Sequence, residues 1–319
     1  MEPRMGEERH IIVPGAGAAP VPYRLTSEFR EPPAQFEGCF TTFYHVSLEI
    51  GGVGPGQGAA PDARLTDYLQ PEWGNIRFFC GGTPDAAIGT SRVTDARYVG
   101  TGPSSLPCRF SLGPVRMWGV GFMPLGWARF FDADASACTN MICDGAAHPV
   151  FARFAGLTDV LCNPQATLDE QYEAIVAAMT KAMRPSRDDA RISRINAELV
   201  GGEHASVHDL ADACAMSIRT LERTCVRYFG FSPKLLMRRQ RFMRSLTSFM
   251  LQSGSRWTEA MDGEYHDQAQ FTREFRAFMT MNPSEYAALD HPILTSFMEA
   301  RARIWGSAAQ TLDLPHAPS

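Results

Sequence analysis

Arg219 and Arg223 stand four residues apart, and Gln268, Gln270 and Arg273 fall within a second short stretch some fifty residues later. An arginine fork can pair with the O6 and N7 edge of guanine, and a glutamine amide can pair with adenine. Such contacts need nearby cations to hold phosphates. Between Ser217 and Arg256 the chain supplies eight Arg and one Lys against a single Glu222, a net +8, although its overall formal charge is -5. The wider segment 187–290 balances 14 basic against 14 acidic residues, so the cationic field is focused, as a phosphate footprint requires. Ser217, Thr220 and Arg276 join the candidate set. Arg227, Arg238 and Arg239 suit backbone phosphates or ion pairs within their own domain.

These side chains would have to stand on short helices, and the helix punctuation is present twice. Ser206-Val-His-Asp209 has the form of a capping box, followed by Leu210 and Ala211 on an apolar side. Ser217 caps a second helix whose Ile218 and Leu221 are expected to enter the core, with Arg219, Thr220 and Arg223 on or near the exposed face. Ser232-Pro233 opens a long helix to about Ser253, a rigid spacer. The second unit starts near Arg256. Asp267 to Gln270 caps its second helix, and Phe271 and Phe275 recur four apart as core contacts do. Asn282-Pro-Ser-Glu285 starts a closing helix. Tyr228-Phe-Gly-Phe-Ser-Pro233 and Phe278-Met-Thr-Met-Asn-Pro283 repeat the same exit: an apolar end, a turn and a helix begun by Pro.

Over residues 190–290 the sequence resembles the AraC/XylS family of bacterial transcription regulators. The resemblance is carried by Leu210-Ala211, Ser217-x-x-Thr220-Leu221-x-Arg223, Phe229-Gly230-x-Ser232-Pro233, and Asp267-Gln-Ala-Gln-Phe271-x-Arg273-x-Phe275 with Pro283 and Tyr286. It implies two helix-turn-helix units joined by a long helix, with recognition helices at about 218–228 and 268–278. It also implies a separate sensing or dimerisation domain. The chain departs from the family pattern at Ala215 and Thr280, where Gly is usual, and at Glu264, Cys225 and Gln270.

The amino-terminal half has another rhythm. Short apolar runs at Phe40–Ile50, Ile76–Cys80, Ala96–Val99, Leu106–Leu112 and Val115–Phe122 are separated by turn signals. They predict a β-rich barrel or sandwich, so the expected class is α+β: a β-rich amino-terminal domain, then an all-α domain with two helix-turn-helix units. The expected boundaries are a loose arm over 1–25, a β-rich sensor or dimerisation domain over 26–165, a helical linker over 166–189, the double helix-turn-helix domain over 190–290, and a carboxyl-terminal tail over 291–319 that frays after Trp305. Segment 51–63 reads as a long Gly-rich loop, and Leu125–Phe131 and Thr167–Met183 as helical. The latter helix would serve as linker or dimer contact.

Several function classes lack support. His45 and His148 stand alone, without metal-ligand spacing, and there is no nucleotide loop or nucleophile elbow. Neither enzyme chemistry, a metal nor a cofactor is expected, and Trp118, Trp127, Phe122 and Met123 are expected in the core. The eight cysteines lack CxxC spacing and are expected as buried thiols rather than disulfides. No apolar stretch is long enough to span a bilayer and no leader is evident, which points to the cytoplasm without a membrane partner. The resulting expectation is sequence-specific binding to double-stranded promoter DNA and regulation of transcription initiation, as activator or repressor, through placement relative to RNA polymerase. A small-molecule effector and a homodimer fit the amino-terminal half. If both readers enter one face of B-DNA, their centres lie roughly 34 Å apart. The alternative is a ligand-binding or architectural DNA-associated protein without specific promoter regulation.

Overall fold

A computed structural model of the chain describes residues 8–13, 21–56, 63–252 and 257–313. Eleven strands form two antiparallel sheets among these residues: β1 (Glu8–Val13), β2 (Val21–Arg30), β3 (Phe40–Ile50), β4 (Leu65–Leu69), β5 (Asn75–Cys80), β6 (Asp85–Ile88), β7 (Ser91–Thr94), β8 (Tyr98–Thr101), β9 (Cys108–Leu112), β10 (Val115–Phe122) and β11 (Ile142–Asp144). The larger sheet has the order β1-β2-β3-β10-β5-β8-β11, the smaller β4-β9-β6-β7. Both are open, so the sandwich alternative holds and a closed barrel does not.

Side-chain alternation explains what each face of the large sheet does. Val46, Leu48, Phe79 and Val115 face the small sheet and meet Ile88, Phe110 and Leu112 in one buried cluster. Phe43, Phe78, Trp118 and Val120 face the other way, into a helical layer. That layer holds α1 (Pro124–Phe130), α2 (Leu157–Leu161), α3 (Leu168–Ala182), α4 (Asp189–Gly201), α5 (Val207–Ala213) and α6 (Ile218–Thr224). Then follow α7 (Pro233–Leu251), α8 (Trp257–Ala260), α9 (Gln268–Met279), α10 (Pro283–Ala287) and α11 (Leu294–Trp305). Trp118, Trp127, Phe122 and Met123 are buried.

The cluster behind the large sheet runs without a break from Trp118 and Trp127 to Leu210, Leu221, Phe229 and Leu236. The segment expected as a linker belongs to it. Thr167 and Glu170 form a reciprocal capping box at the start of α3, whose Ile175 and Met179 are fully buried, and Trp118 Nε1 donates to Gln171 Oε1 at 2.6 Å.

Three expectations need correction. Within the segment read as a loose arm, Glu8–Val13 pairs with Val21–Arg30 in an antiparallel hairpin, because extended backbone at a sheet edge is satisfied by a partner strand; residues 1–7 and 14–20 lie outside the described residues, as do 57–62 of the 51–63 loop. Within the tail, Leu294 and Met298 of α11 are buried, and past Trp305, where fraying was expected, residues 308–311 are packed as well, Ala308 and Ala309 being buried against the rest of the molecule. Its last six residues lie outside the described ones. Cys80 and Cys162 form a disulfide joining β5 to the end of α2, while Cys39, Cys108, Cys138, Cys214 and Cys225 are buried free thiols. No group of His, Cys, Asp and Glu able to hold a metal occurs among the described residues. No helix among them is long and apolar enough to cross a membrane.

Candidate nucleic-acid interface

The first reader is built by two short helices and a strained turn. Ser206 Oγ accepts the Asp209 amide at 3.2 Å and Ser217 Oγ the Thr220 amide at 3.3 Å, so each helix starts where its cap stands. The Ala211 carbonyl accepts the Met216 amide at 3.0 Å across the turn, and Ala215 there takes φ +53°. That left-handed conformation explains why a Gly is usual at this place. A π-turn over Cys225–Phe229 continues α6 and ends at Gly230, φ +86°. A Cβ on Gly230 would come within 2.8 Å of Thr139 in the β-rich half, so this glycine is set by conformation and by contact together.

The second reader repeats the device. Asp267 Oδ1 accepts the Gln270 amide at 2.6 Å, and α9 ends at Thr280, φ +59°, the counterpart of Gly230. A β-branched residue in that region is strained. Asn282 N donates to Glu285 Oε2 at 2.6 Å at the start of α10. Trp257 stacks on Phe249 with 3.6 Å between ring centroids and packs on Phe271 and Phe275, tying α8 to α7 and α9. Glu264 keeps an ordinary backbone and accepts from Arg244 at 2.8 Å, so its side chain braces the turn to α7.

Of the candidate residues, Ser217, Arg219, Arg223, Gln268 and Arg273 are exposed on the two readers, and Thr220 is half-buried beside them. Among the described residues no ion pair involves Arg219, Arg223 or Arg273. Gln270 is partly engaged, its Oε1 accepting the His266 amide at 3.1 Å. Arg276 is exposed and donates to Asn282 Oδ1. Arg227 is exposed but lies 3.3 Å from Asp134 of the β-rich half. Arg238 Nε donates to Glu274 at 2.9 Å, an ion pair within the domain.

Arg239 is placed where no phosphate can reach it, which corrects its assignment. Its side chain is fully buried, stacked 3.8 Å from the Trp73 ring with one nitrogen donating to the Ser104 carbonyl at 3.0 Å. Burial brings the guanidinium down to about 9, still protonated at neutral pH. It fastens α7 to the β-rich half. Ile218, expected in the core, is 42% exposed.

Sequence reasoning passed over Glu274. Buried at 4%, it accepts from Arg238, from Arg241 at 2.8 Å and from the Tyr265 hydroxyl at 2.9 Å. The signal was available: 271, 274, 275 and 278 share one helix face, and a carboxylate among three phenylalanines needs cationic partners. Glu274 thus engages Arg238 and Arg241, Asp262 and Glu264 engage Arg244, and the cations left exposed are those on the readers.

Residues 210–288 match the family model described as a helix-turn-helix domain. The carboxyl-terminal region thus carries a helix-turn-helix domain, the class of module that both readers define. ToxT from Vibrio cholerae O395 is 11% identical at a TM-score of 0.37, the match covering 70% of this chain and 96% of that one. The AraC-like transcriptional activator CuxR is 11% identical at a TM-score of 0.27, covering 70% of this chain and 81% of that one. Streptomyces albus HEPD is 15% identical at a TM-score of 0.21, covering 66% of this chain and 45% of that one. No curated protein matches the chain.

Proposed function

We propose that the chain binds specific double-stranded promoter sequences through α6 and α9, in successive major-groove segments, and sets transcription initiation by its position relative to RNA polymerase. The observation that carries this is the repeated reader: two capped helices, each presenting unpaired cationic side chains, held apart by α7. The 19 residues of α7 span roughly 28 Å, of the order of one turn of B-DNA. Arg219, Arg223, Gln268 and Arg273 would read base edges, Ser217, Thr220, Gln270 and Arg276 would support them, and Arg227 would hold a phosphate once released from Asp134.

Control by a small molecule is part of the reading. Between the two sheets lies an apolar cavity of about 60 Å³, lined among others by Leu48, Phe79, Phe110 and Leu112 and closed by Ile293 and Phe297. Arg77 stands at its wall, paired to Glu72 at 2.6 Å and Tyr44 at 2.9 Å. A molecule larger than a water or two must displace part of this wall. A homodimer belongs to the same proposal and would pair the β-rich halves.

The test is a selection of genomic fragments with the full-length protein at near-physiological salt, beside an Arg219→Ala/Arg223→Ala variant. One shared motif, lost in the variant, supports the regulator. Equal recovery of unrelated fragments favours an architectural protein.

A further inference from the structure

Five large apolar side chains are exposed among the described residues, and two of them, Ile218 at 42% and Val226 at 40%, stand on the first reader. Single exposed apolar residues are ordinary. These two are not single. Residues four apart on a helix are neighbours, so 218, 222 and 226 form one row, and 219, 223 and 227 form the next. One row reads Ile, Glu, Val; the row beside it reads Arg, Arg, Arg. All six are exposed. Neither Ile218 nor Val226 joins the apolar cluster beneath the helix, which is filled by Leu221, Cys225 and Phe229.

The chemistry of the first row is complementary to one feature of the major groove. Among the four bases only thymine presents a methyl group there, and only apolar side chains favour it; a carboxylate accepts from the amino group of cytosine. A carboxylate on a DNA-facing helix is repelled by phosphates, so Glu222 gains nothing from the backbone and can gain from a base edge. The basic row can satisfy phosphates and guanine while the apolar row is pressed against base edges. We propose that Ile218 and Val226 are specificity-determining residues that read thymine methyls, with Glu222 reading a cytosine amino group between them. This assignment rests on the DNA-binding reading above and adds base identities to it.

The test starts from the operator selected with the full-length protein. Each thymine in the part bound by the first reader is replaced singly by deoxyuridine, which removes only the methyl group, and affinity is measured by fluorescence anisotropy. Wild-type protein is expected to lose roughly fourfold at two thymines, the value of one buried methyl. Ile218→Ala should erase the response at one of them and Val226→Ala at the other, with unchanged thermal melting because both side chains are exposed. Glu222→Gln should move the preference at the intervening position from cytosine to adenine. The assignment is overturned if the operator binds selectively but no deoxyuridine position matters, or if the variants respond as wild type does. If no sequence is selected at all, the DNA-binding reading itself falls, and this assignment with it.

Discussion

The carboxylate of Asp67 on β4 accepts the amide of Ile293 at 2.8 Å, 226 residues further along the chain. The same carboxylate accepts the Leu294 amide at 2.8 Å and meets His291 Nδ1 at 2.9 Å. It thus caps the start of α11 from another domain, supplying the negative charge that a helix amino terminus favours. From there α11 lays Phe297 on Phe29 and Tyr44, and the chain returns to place Thr311 against Gln240 of α7 and Gln310 against Asn75. The cavity wall and the helix between the readers are therefore held by one continuous strap. Asp67→Ala should destabilise the protein by about 3 kcal/mol, since it leaves two buried amides and a histidine without an acceptor. Denaturant unfolding checks this, and a loss below about 0.5 kcal/mol would show that the strap is not anchored there.

Ala215 and Thr280 hold left-handed backbone conformations without being glycine. Replacing either by Gly should relieve about 1 kcal/mol of strain, partly offset by the greater freedom of Gly in the unfolded chain. A small rise in melting temperature for each, adding in the double variant, is the expected outcome. A fall in both would mean that the turns are not strained.

Arg219, Arg223 and Arg239 should separate cleanly. Arg219→Ala and Arg223→Ala are each expected to weaken selective DNA binding by about 1–3 kcal/mol while leaving the melting temperature in place. Arg239→Ala should lower the melting temperature instead, because its guanidinium sits on Trp73 inside the molecule. Parallel titrations and melts decide it; an unchanged melting temperature for Arg239→Ala contradicts the buried placement.

His45 gives the protein an acid-sensitive element. Burial first, then Arg116 and Arg30, lower its pKa to about 4. The unfolded chain, with an ordinary value near 6.5, therefore takes up this proton earlier than the folded one does. The associated stability is fully present above about pH 6.5 and is lost as pH falls from there towards 4, on the order of 3 kcal/mol in all. Unfolding curves at pH 7 and pH 5 should differ more for wild type than for His45→Gln.

The Cys80–Cys162 bond closes a loop with a sequence separation of 82 residues. Its reduction, or Cys80→Ser, should lower stability by about 4 kcal/mol through the freedom returned to the unfolded chain. Denaturant midpoints with and without reductant measure it.

The helix starts were written locally, and for that reason they could be read. Ser206, Ser217, Ser232 and Asp267 each cap their own helix within three residues, so nothing distant is needed to place them. The strands at Phe40–Ile50 and Val115–Phe122 were equally local, set by apolar runs between turn residues. Weaker strands such as Asp85–Ile88 and Ser91–Thr94 exist because neighbours pair with them, and their own residues do not announce it.

What only the tertiary structure decided is which charges remain free and where one domain ends. In sequence, Arg227, Arg238 and Arg239 are alike; in space one faces Asp134, one pairs with Glu274 and one is stacked inside on Trp73. Desolvation and pairing depend on residues far along the chain, as Ser104 is from Arg239. The strap over residues 291–313 shows the same limit: its last part, after Trp305, has no local pattern that would order it, and the strap is fixed by Asp67, Asn75 and Gln240. The sequence by itself determined the readers and their chemistry, because capping and helical periodicity act over a few residues. The fold alone determined how those readers are joined to the rest of the molecule, because packing and buried charge act across the whole chain.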